Sequence, residues 1–244
     1  METKIVSGRV IEIIRARRVV DDADLSKRRN RKANPSSAAK MERNERDAVR
    51  SLARLINCNF GRGDLWVVLN FDNEHLPEDE AGCKKEVGKL LRKLRKAEGF
   101  KYIYAVGSRN PRNGEKVRYH IHMILPKSCQ DAVDELWTLG NVSIRHLDRR
   151  GDYTGVARYI IDNATTGEKG GKKRYSPSKG LEKPIYFEPV ECKITDRVRI
   201  PRSASIGEQQ RITDNETGNQ SYYLRYTTMP GEKDVKYRRV RWDE

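Results

Sequence analysis

The alternation of residues from Val117 to Leu125 is the feature that most limits how this chain can fold. Its period of two is that of a β-strand, so Ile121 projects to one face and His120 and His122 project to the other. The turn residues 110–114 precede it and are typical of a hairpin from an earlier strand. The sequence therefore predicts an antiparallel sheet around this stretch.

The segments on either side follow one another in a definite order. Apolar spacing predicts strands at 65–71, 101–106, 117–125 and 141–147, and helices at 77–98 and 128–137. This order is that of the ferredoxin-like split βαβ arrangement. The predicted fold class is α+β, an antiparallel sheet with helices on one face. Ser128 is the predicted cap of the second helix and Gly140 its predicted end. Earlier in the chain, we predict a strand within residues 4–20 and a helix at 38–57.

The two histidines on one strand face, His120 and His122, are the first candidate site. Residues so placed lie about 7 Å apart, and two neutral imidazoles can hold a divalent cation between them. The same pattern also fits a polar strand face that binds no metal. A hard cation would take at least one oxygen ligand besides the two nitrogens.

A tyrosine on a helix predicted at residues 153–164 is the second candidate. The apolar stripe of that helix consists of Val156, Ala157, Ile160, Ile161 and Ala164. Tyr153 falls within the stripe and is predicted to be a core residue. Tyr159 falls about 130° from the middle of the stripe, beside Asp162 and Asn163. It is either a nucleophile held on the polar side or a surface tyrosine whose ring lies along the helix.

The charge of the chain indicates a polyanionic partner. With 50 Lys and Arg against 35 Asp and Glu, the net charge is +15, which favours nucleic acid over the alternative of a merely soluble basic protein. Residues 165–180 form a basic loop, in which Lys172, Lys173 and Arg174 are predicted to contact phosphates. The four cysteines form no C-x-x-C pair, and no apolar run has the length of a membrane span. We therefore expect a cytoplasmic protein with no membrane partner.

Together the two candidate sites predict phosphodiester cleavage by a tyrosine nucleophile. A phenolate attacks phosphorus and leaves a 5′-phosphotyrosine and a free 3′-hydroxyl. Because a phenol ionises only near pH 10 and the phosphate is negative, a cation held by His120 and His122 would assist attack by Tyr159.

Seven short motifs occur in a shared order over roughly residues 59–184. They are Gly63–Phe71, Leu90–Lys96, Lys101–Tyr104, His120–His122, Trp137–Val142, Ala157–Ile161 and Arg174–Pro184. In this order they resemble the rolling-circle replication-associated proteins of phages and plasmids, which belong to the His-hydrophobic-His (HUH) endonucleases. The resemblance implies that His120 and His122 bind Mg²⁺ or Mn²⁺ and that Tyr159 is the single nucleophile. It implies an initiator that nicks single-stranded or extruded origin DNA in a bacterial host, with host replication proteins as partners.

The chain differs from the family pattern at two places. Relatives often carry a lysine three residues after the tyrosine, where this chain has Asp162. They also tend to supply a carboxylate or glutamine from the strand before the histidine strand, and residues 104–108 contain neither. Glu115 or Asp72 could supply that oxygen instead.

The predicted organisation is a central endonuclease-like domain with two appended segments. The central domain spans residues 59–184, after an N-terminal strand, basic linker and helix at 1–58 and before a β-rich extension at 185–244. A non-catalytic nucleic-acid-binding module on the same scaffold is the alternative function. Within the enzyme class, a conjugative relaxase or a single-strand transposase is the nearest competitor. Proximity of Tyr159 to the histidine pair would favour the enzyme.

Overall fold

The chain divides into two compact units. The structure is a computed structural model that describes residues 1–16, 38–95, 100–164, 174–193, 197–213, 220–230 and 236–241. Unit 1 comprises residues 1–46 and 184–244, and unit 2 comprises residues 47–183. The prediction of three consecutive segments is therefore wrong, because the two ends of the chain form one unit. The predicted linker at residues 21–37 lies outside the described residues.

Unit 2 is built on a five-stranded sheet in which every pair of strands is antiparallel. Its strands are β3 (Leu65–Asn70), β4 (Ile103–Arg109), β5 (Lys116–Leu125), β6 (Val142–His146) and β7 (Ser176–Pro177). Their order across the sheet is β6-β3-β5-β4-β7, so the histidine strand β5 is central. The α+β class with an antiparallel sheet is thus confirmed.

Four helices accompany this sheet, and they cover both of its faces. They are α1 (Ala38–Asn59), α2 (Glu80–Leu94), α3 (Gln130–Leu136) and α4 (Thr154–Asn163). Residues of α2 and α3 pack with Ile121, Met123 and Leu125 in one core. Residues of α1 and α4 pack with Ile124 and Ile103 in a second core. The prediction of helices on one face is therefore wrong, because the stripe of α1 needs a second apolar surface to bury it.

The helix stripes predicted from the sequence are buried. Val49, Leu52, Ala53 and Ile56 of α1 are buried, as are Val87, Leu90, Leu91 and Leu94 of α2. The segment around Ser128 differs from the prediction, because a short 3₁₀ turn at Lys127–Cys129 precedes α3 and neither has a side-chain cap. No helix in the described part of the chain combines the length and apolar character that a membrane span requires.

Gly140 has a different role from the predicted one, because α3 already ends at Leu136. Its φ is +151°, and a Cβ added to it would come within 2.7 Å of the Asp72 nitrogen. The close approach lets the carbonyl oxygens of Leu139 and Asn141 accept from the backbone nitrogens of Asp72 and Asn70, both at 2.9 Å. A glycine here therefore joins the loop before β6 to the end of β3.

Unit 1 consists of β-strands together with the first residues of α1. Its five-stranded sheet has the order β10-β11-β2-β1-β8. These strands are β1 (Glu2–Ser7), β2 (Val10–Ala16), β8 (Ile185–Tyr186), β10 (Ser205–Thr213) and β11 (Gln220–Thr227). A further pair consists of β9 (Val198–Pro201) and β12 (Tyr237–Val240). The strand predicted within residues 4–20 is instead a hairpin that turns at Gly8, where φ is +57°.

We expect Gly140→Ala to destabilise unit 2 by about 2 kcal/mol or more, because the new Cβ meets backbone atoms at an unfavourable φ. Gly88→Ala is the matched control, since a Cβ at that position in α2 meets nothing within 4 Å. It should stabilise the protein by roughly 0.5–1 kcal/mol through helix propensity. Urea unfolding measures both, and a Gly140→Ala variant as stable as the original protein would contradict the proposed close approach.

Candidate active site

The histidine pair lies at the centre of the unit 2 sheet, on the face covered by α1 and α4. His122 pairs in register with Val68 of β3 and Ala105 of β4, and His120 pairs with Asn70 and Gly107. The imidazole Nε2 atoms of the two histidines are 3.1 Å apart. The strand alternation therefore brings both rings together at one point, as predicted from the sequence.

His120 is held in one tautomer by its own strand. Its Nδ1 lies 3.0 Å from the carbonyl oxygen of Arg118. A carbonyl only accepts, so Nδ1 carries the proton and Nε2 presents a lone pair toward His122. A backbone carbonyl on the second nitrogen is a common arrangement for a histidine that binds metal.

Gly107 provides the space that the ring of His120 occupies. A Cβ added to Gly107 would come within 2.7 Å of the His120 Cε1 atom. Its backbone also forms an isolated bridge with Ala164, immediately after α4. The glycine thus both leaves room for the ring and connects the end of α4 to the sheet beside it.

His122 is almost completely buried, with 1% of its surface exposed. Burial, followed by the influence of His120, lowers the pKa of His122 from 6.5 to about 3. The ring is therefore neutral at physiological pH and keeps a nitrogen lone pair, as a metal ligand requires. Its Nδ1 atom has no hydrogen-bond partner.

Tyr159 lies against the histidine pair. Its ring centroid is 5.5 Å from that of His122, in an edge-to-face arrangement with an interplanar angle of 87°. The side chain is 41% exposed, whereas Tyr153 is 3% exposed and donates its hydroxyl to the carbonyl oxygen of Asp148 at 2.9 Å. The prediction of Tyr153 as a core residue is confirmed, and Tyr159 has both a site contact and access to solvent.

Trp66 and Arg145 extend the site beyond Tyr159. Trp66 lies edge-to-face with Tyr159 at 5.2 Å between ring centroids. The guanidinium of Arg145, the residue paired with Trp66 across β3 and β6, lies over the indole at 5.5 Å. Arg145 is exposed, and no carboxylate in the described part of the chain forms an ion pair with it. The result is a row of aromatic rings that ends in a positive charge.

The oxygen ligands suggested by the sequence are engaged elsewhere. The Asp72 carboxylate accepts from the backbone nitrogens of Glu74 and His75 and contacts the His75 ring. Glu115 accepts from the side chain of Asn113. Among the described residues, no group of three or more His, Cys, Asp or Glu side chains could hold a metal ion.

Asn70 is an oxygen donor that the sequence analysis missed. It is exposed, stands opposite His120 in the register of β3 and β5, and shares its strand face with Trp66. A polar residue in phase with Trp66 at the end of an apolar strand was the available signal. Gly107 was also missed, although a glycine inside a strand often marks a close approach.

The predicted DNA-binding residues are only partly described. Lys172 and Lys173 lie outside the described residues, and Arg174 is half-buried at the start of the segment that leads into β7. Of the aromatic residues considered for base stacking, Tyr102 and Tyr175 are half-buried against the two cores. Burial raises the pKa of Tyr175. Neither is as exposed as Tyr159.

We expect acid to destabilise the protein partly through His122. Below pH 6.5 the unfolded chain takes up a proton at this position, whereas the folded chain does so only near pH 3. The free energy of unfolding therefore falls as the pH decreases through that window, by up to about 1.4 kcal/mol per pH unit. Urea unfolding of the original protein and of His122→Gln at pH 7, 6 and 5 measures this contribution. Parallel pH dependences would contradict a buried neutral histidine.

Neither the protein-family models, the curated proteins nor the solved structures include a match to this chain. The contacts among His120, His122 and Tyr159 are therefore the basis on which a function can be proposed.

Proposed function

We propose that this chain is a DNA-nicking endonuclease that initiates rolling-circle replication, with Tyr159 as nucleophile and a divalent cation on His120 and His122. The observation that carries the proposal is the contact of Tyr159 with His122 at 5.5 Å between ring centroids. The two residues come from different elements, and a nucleophile and a histidine pair in contact are what the cleavage chemistry requires.

The topology of unit 2 supports a ferredoxin-like scaffold for this activity. The elements β3, α2, β4, β5, α3 and β6 follow one another as strand–helix–strand–strand–helix–strand. In the sheet, β3 and β5 are the inner strands of this set and β4 and β6 flank them. Both α2 and α3 pack on the same core, as the two crossover helices of such a scaffold do.

The separation of the two Nε2 atoms fits a shared cation. An octahedral ion with metal–nitrogen bonds of about 2.1 Å places two adjacent nitrogens about 3.0 Å apart, and a tetrahedral ion about 3.4 Å apart. The observed separation is 3.1 Å, close to the octahedral value. Two imidazole nitrogens suit Mn²⁺ better than Mg²⁺, which prefers oxygen. The amide oxygen of Asn70 is the nearest candidate in strand register for a further position.

The reaction exchanges one ester bond for another. The hydroxyl oxygen of Tyr159 attacks phosphorus and loses its proton to solvent, while the bond from phosphorus to the 3′ oxygen breaks and that oxygen takes up a proton. The products are a 5′-phosphotyrosine and a free 3′-hydroxyl. When bound, a divalent cation would offset the negative charge of the phosphate oxygens.

The surroundings of Tyr159 support a single-stranded substrate. Binding sites for single strands combine aromatic rings, on which bases stack, with basic groups that contact the backbone. Tyr159, Trp66 and Arg145 supply this combination beside the histidine pair. The net charge of +15 favours the same class of partner.

A non-catalytic DNA-binding protein is the second candidate. It is favoured by one observation, the absence of an acidic side chain grouped with His120 and His122 among the described residues. In that case the buried pair would only shape the strand face. The two candidates differ in whether a covalent adduct forms with DNA.

We expect Tyr159→Phe to abolish a covalent adduct with labelled single-stranded origin DNA in Mn²⁺. The substitution removes the attacking oxygen and keeps the ring that contacts Trp66 and His122. Tyr153→Phe is the control, because it loses the hydrogen bond to Asp148 but leaves Tyr159 intact. It should lower stability by about 1 kcal/mol and still form the adduct on a denaturing gel. Mapping of the nucleotide to any other tyrosine would refute the assignment.

We also expect replacement of both His120 and His122 by Gln to abolish cleavage and weaken Mn²⁺ binding, because both nitrogens at the proposed site are lost. Binding of single-stranded DNA should change little, since no cationic side chain is removed. Titration calorimetry with Mn²⁺ and fluorescence anisotropy with DNA separate the two effects. Full cleavage by this variant, or by the original protein in EDTA, would exclude the proposed metal site.

A further inference from the structure

The paired strands β9 and β12 of unit 1 carry a concentration of positive charge. We call residues 197–202 and 236–241, which contain these strands, the basic ribbon. They include six arginines and one lysine and no Asp or Glu. All seven cationic residues are exposed. The proposed nicking site makes no use of them.

The register of the ribbon separates an apolar face from a basic one. Val198 and Ile200 are buried at 5% and 0% exposure and contribute to the core of unit 1. Arg199 lies between them in the strand and pairs directly with Arg239 of β12. Alternation therefore turns Arg199 and Arg239 outward together, in phase with Arg197 and Arg241 at the ends of the two strands.

This outer face lacks compensating negative charge. Two arginines directly opposite each other across a strand pair repel, and no carboxylate of the described residues forms an ion pair with Arg199 or Arg239. The one recorded contact of the Arg199 guanidinium is with the ring of Tyr237, at 5.2 Å. An anion placed against this face would relieve the repulsion, because it would lie close to both guanidinium groups.

We propose that the basic ribbon binds duplex DNA through this outer face. A two-stranded β-ribbon fits within the major groove of B-DNA, whose width is about 12 Å. A site for single strands would offer free aromatic rings for stacking, but the one aromatic residue of the ribbon, Tyr237, already contacts Arg199. The ribbon is thus a second nucleic-acid site, and it does not depend on cleavage by Tyr159.

The test compares Arg199→Gln/Arg239→Gln with Arg92→Gln/Arg95→Gln in the full chain. Arg92 and Arg95 are exposed at the end of α2 in unit 2, so the control removes the same charge. Fluorescence anisotropy with a labelled mixed-sequence DNA duplex is measured over a range of salt concentrations. EDTA is present so that cleavage does not interfere. We expect the ribbon variant to bind roughly tenfold or more weakly near 0.1 M salt, with a salt slope flatter by about 1.8. The control should stay within about twofold.

Further arms make every outcome informative. Arg199→Lys/Arg239→Lys keeps the charge and should keep the salt slope. A ribbon variant that binds the duplex as the control does would overturn the proposal. So would a loss confined to single-stranded DNA, or an equal loss with duplex RNA, because either would indicate a different class of surface. Circular dichroism checks folding, and Arg197→Gln/Arg241→Gln repeats the test if the first variant does not fold.

Discussion

The alternation of side chains along β5 is the constraint on which both cores and the candidate site of unit 2 depend. Ile121, Met123 and Leu125 are each fully buried in the core beneath α2 and α3. A shift of one residue would place the histidines in that core and expose three large apolar side chains. The hydrophobic energy of one face therefore sets the position of His120 and His122 on the other. The neighbouring residues of β4, Gly107 and Ala105, are small enough to leave space for the two rings.

The burial of His122 is a local cost that the surrounding packing must offset. A buried nitrogen without a hydrogen-bond partner costs about 1–3 kcal/mol, and the Nδ1 atom of His122 is such a group. The ring nevertheless lies between His120 and Tyr159, with both contacts edge-to-face. Isolated polar groups kept at the boundary of a core are frequent at functional sites, where stability is given up for chemistry. This is the physical reason for assigning chemistry to this point of unit 2.

Much of the local structure could be predicted because it repeats along the chain. The buried stripes of α1 and α2 follow from helical spacing, as does the difference between Tyr153 and Tyr159 on α4. The features that were missed depend on contacts between distant residues. Gly140 is required because its loop approaches Asn70 and Asp72, and a glycine in a sequence does not reveal what it approaches. The hairpin at Gly8 and the assembly of unit 1 from both ends of the chain depend in the same way on pairing across long separations.

By itself, the sequence determined which residues share a face. A period of two places His120 with His122, and a period of 3.6 removes Tyr159 from the apolar stripe of its helix, because side-chain direction follows from backbone geometry within a few residues. Only the tertiary structure decided which faces meet. The stripe of α4 could have packed on either side of the sheet, and it lies on the side of the histidines. That choice depends on the complementary burial of segments far apart in the chain, together with the bridge from Gly107 to Ala164, and no local pattern encodes it.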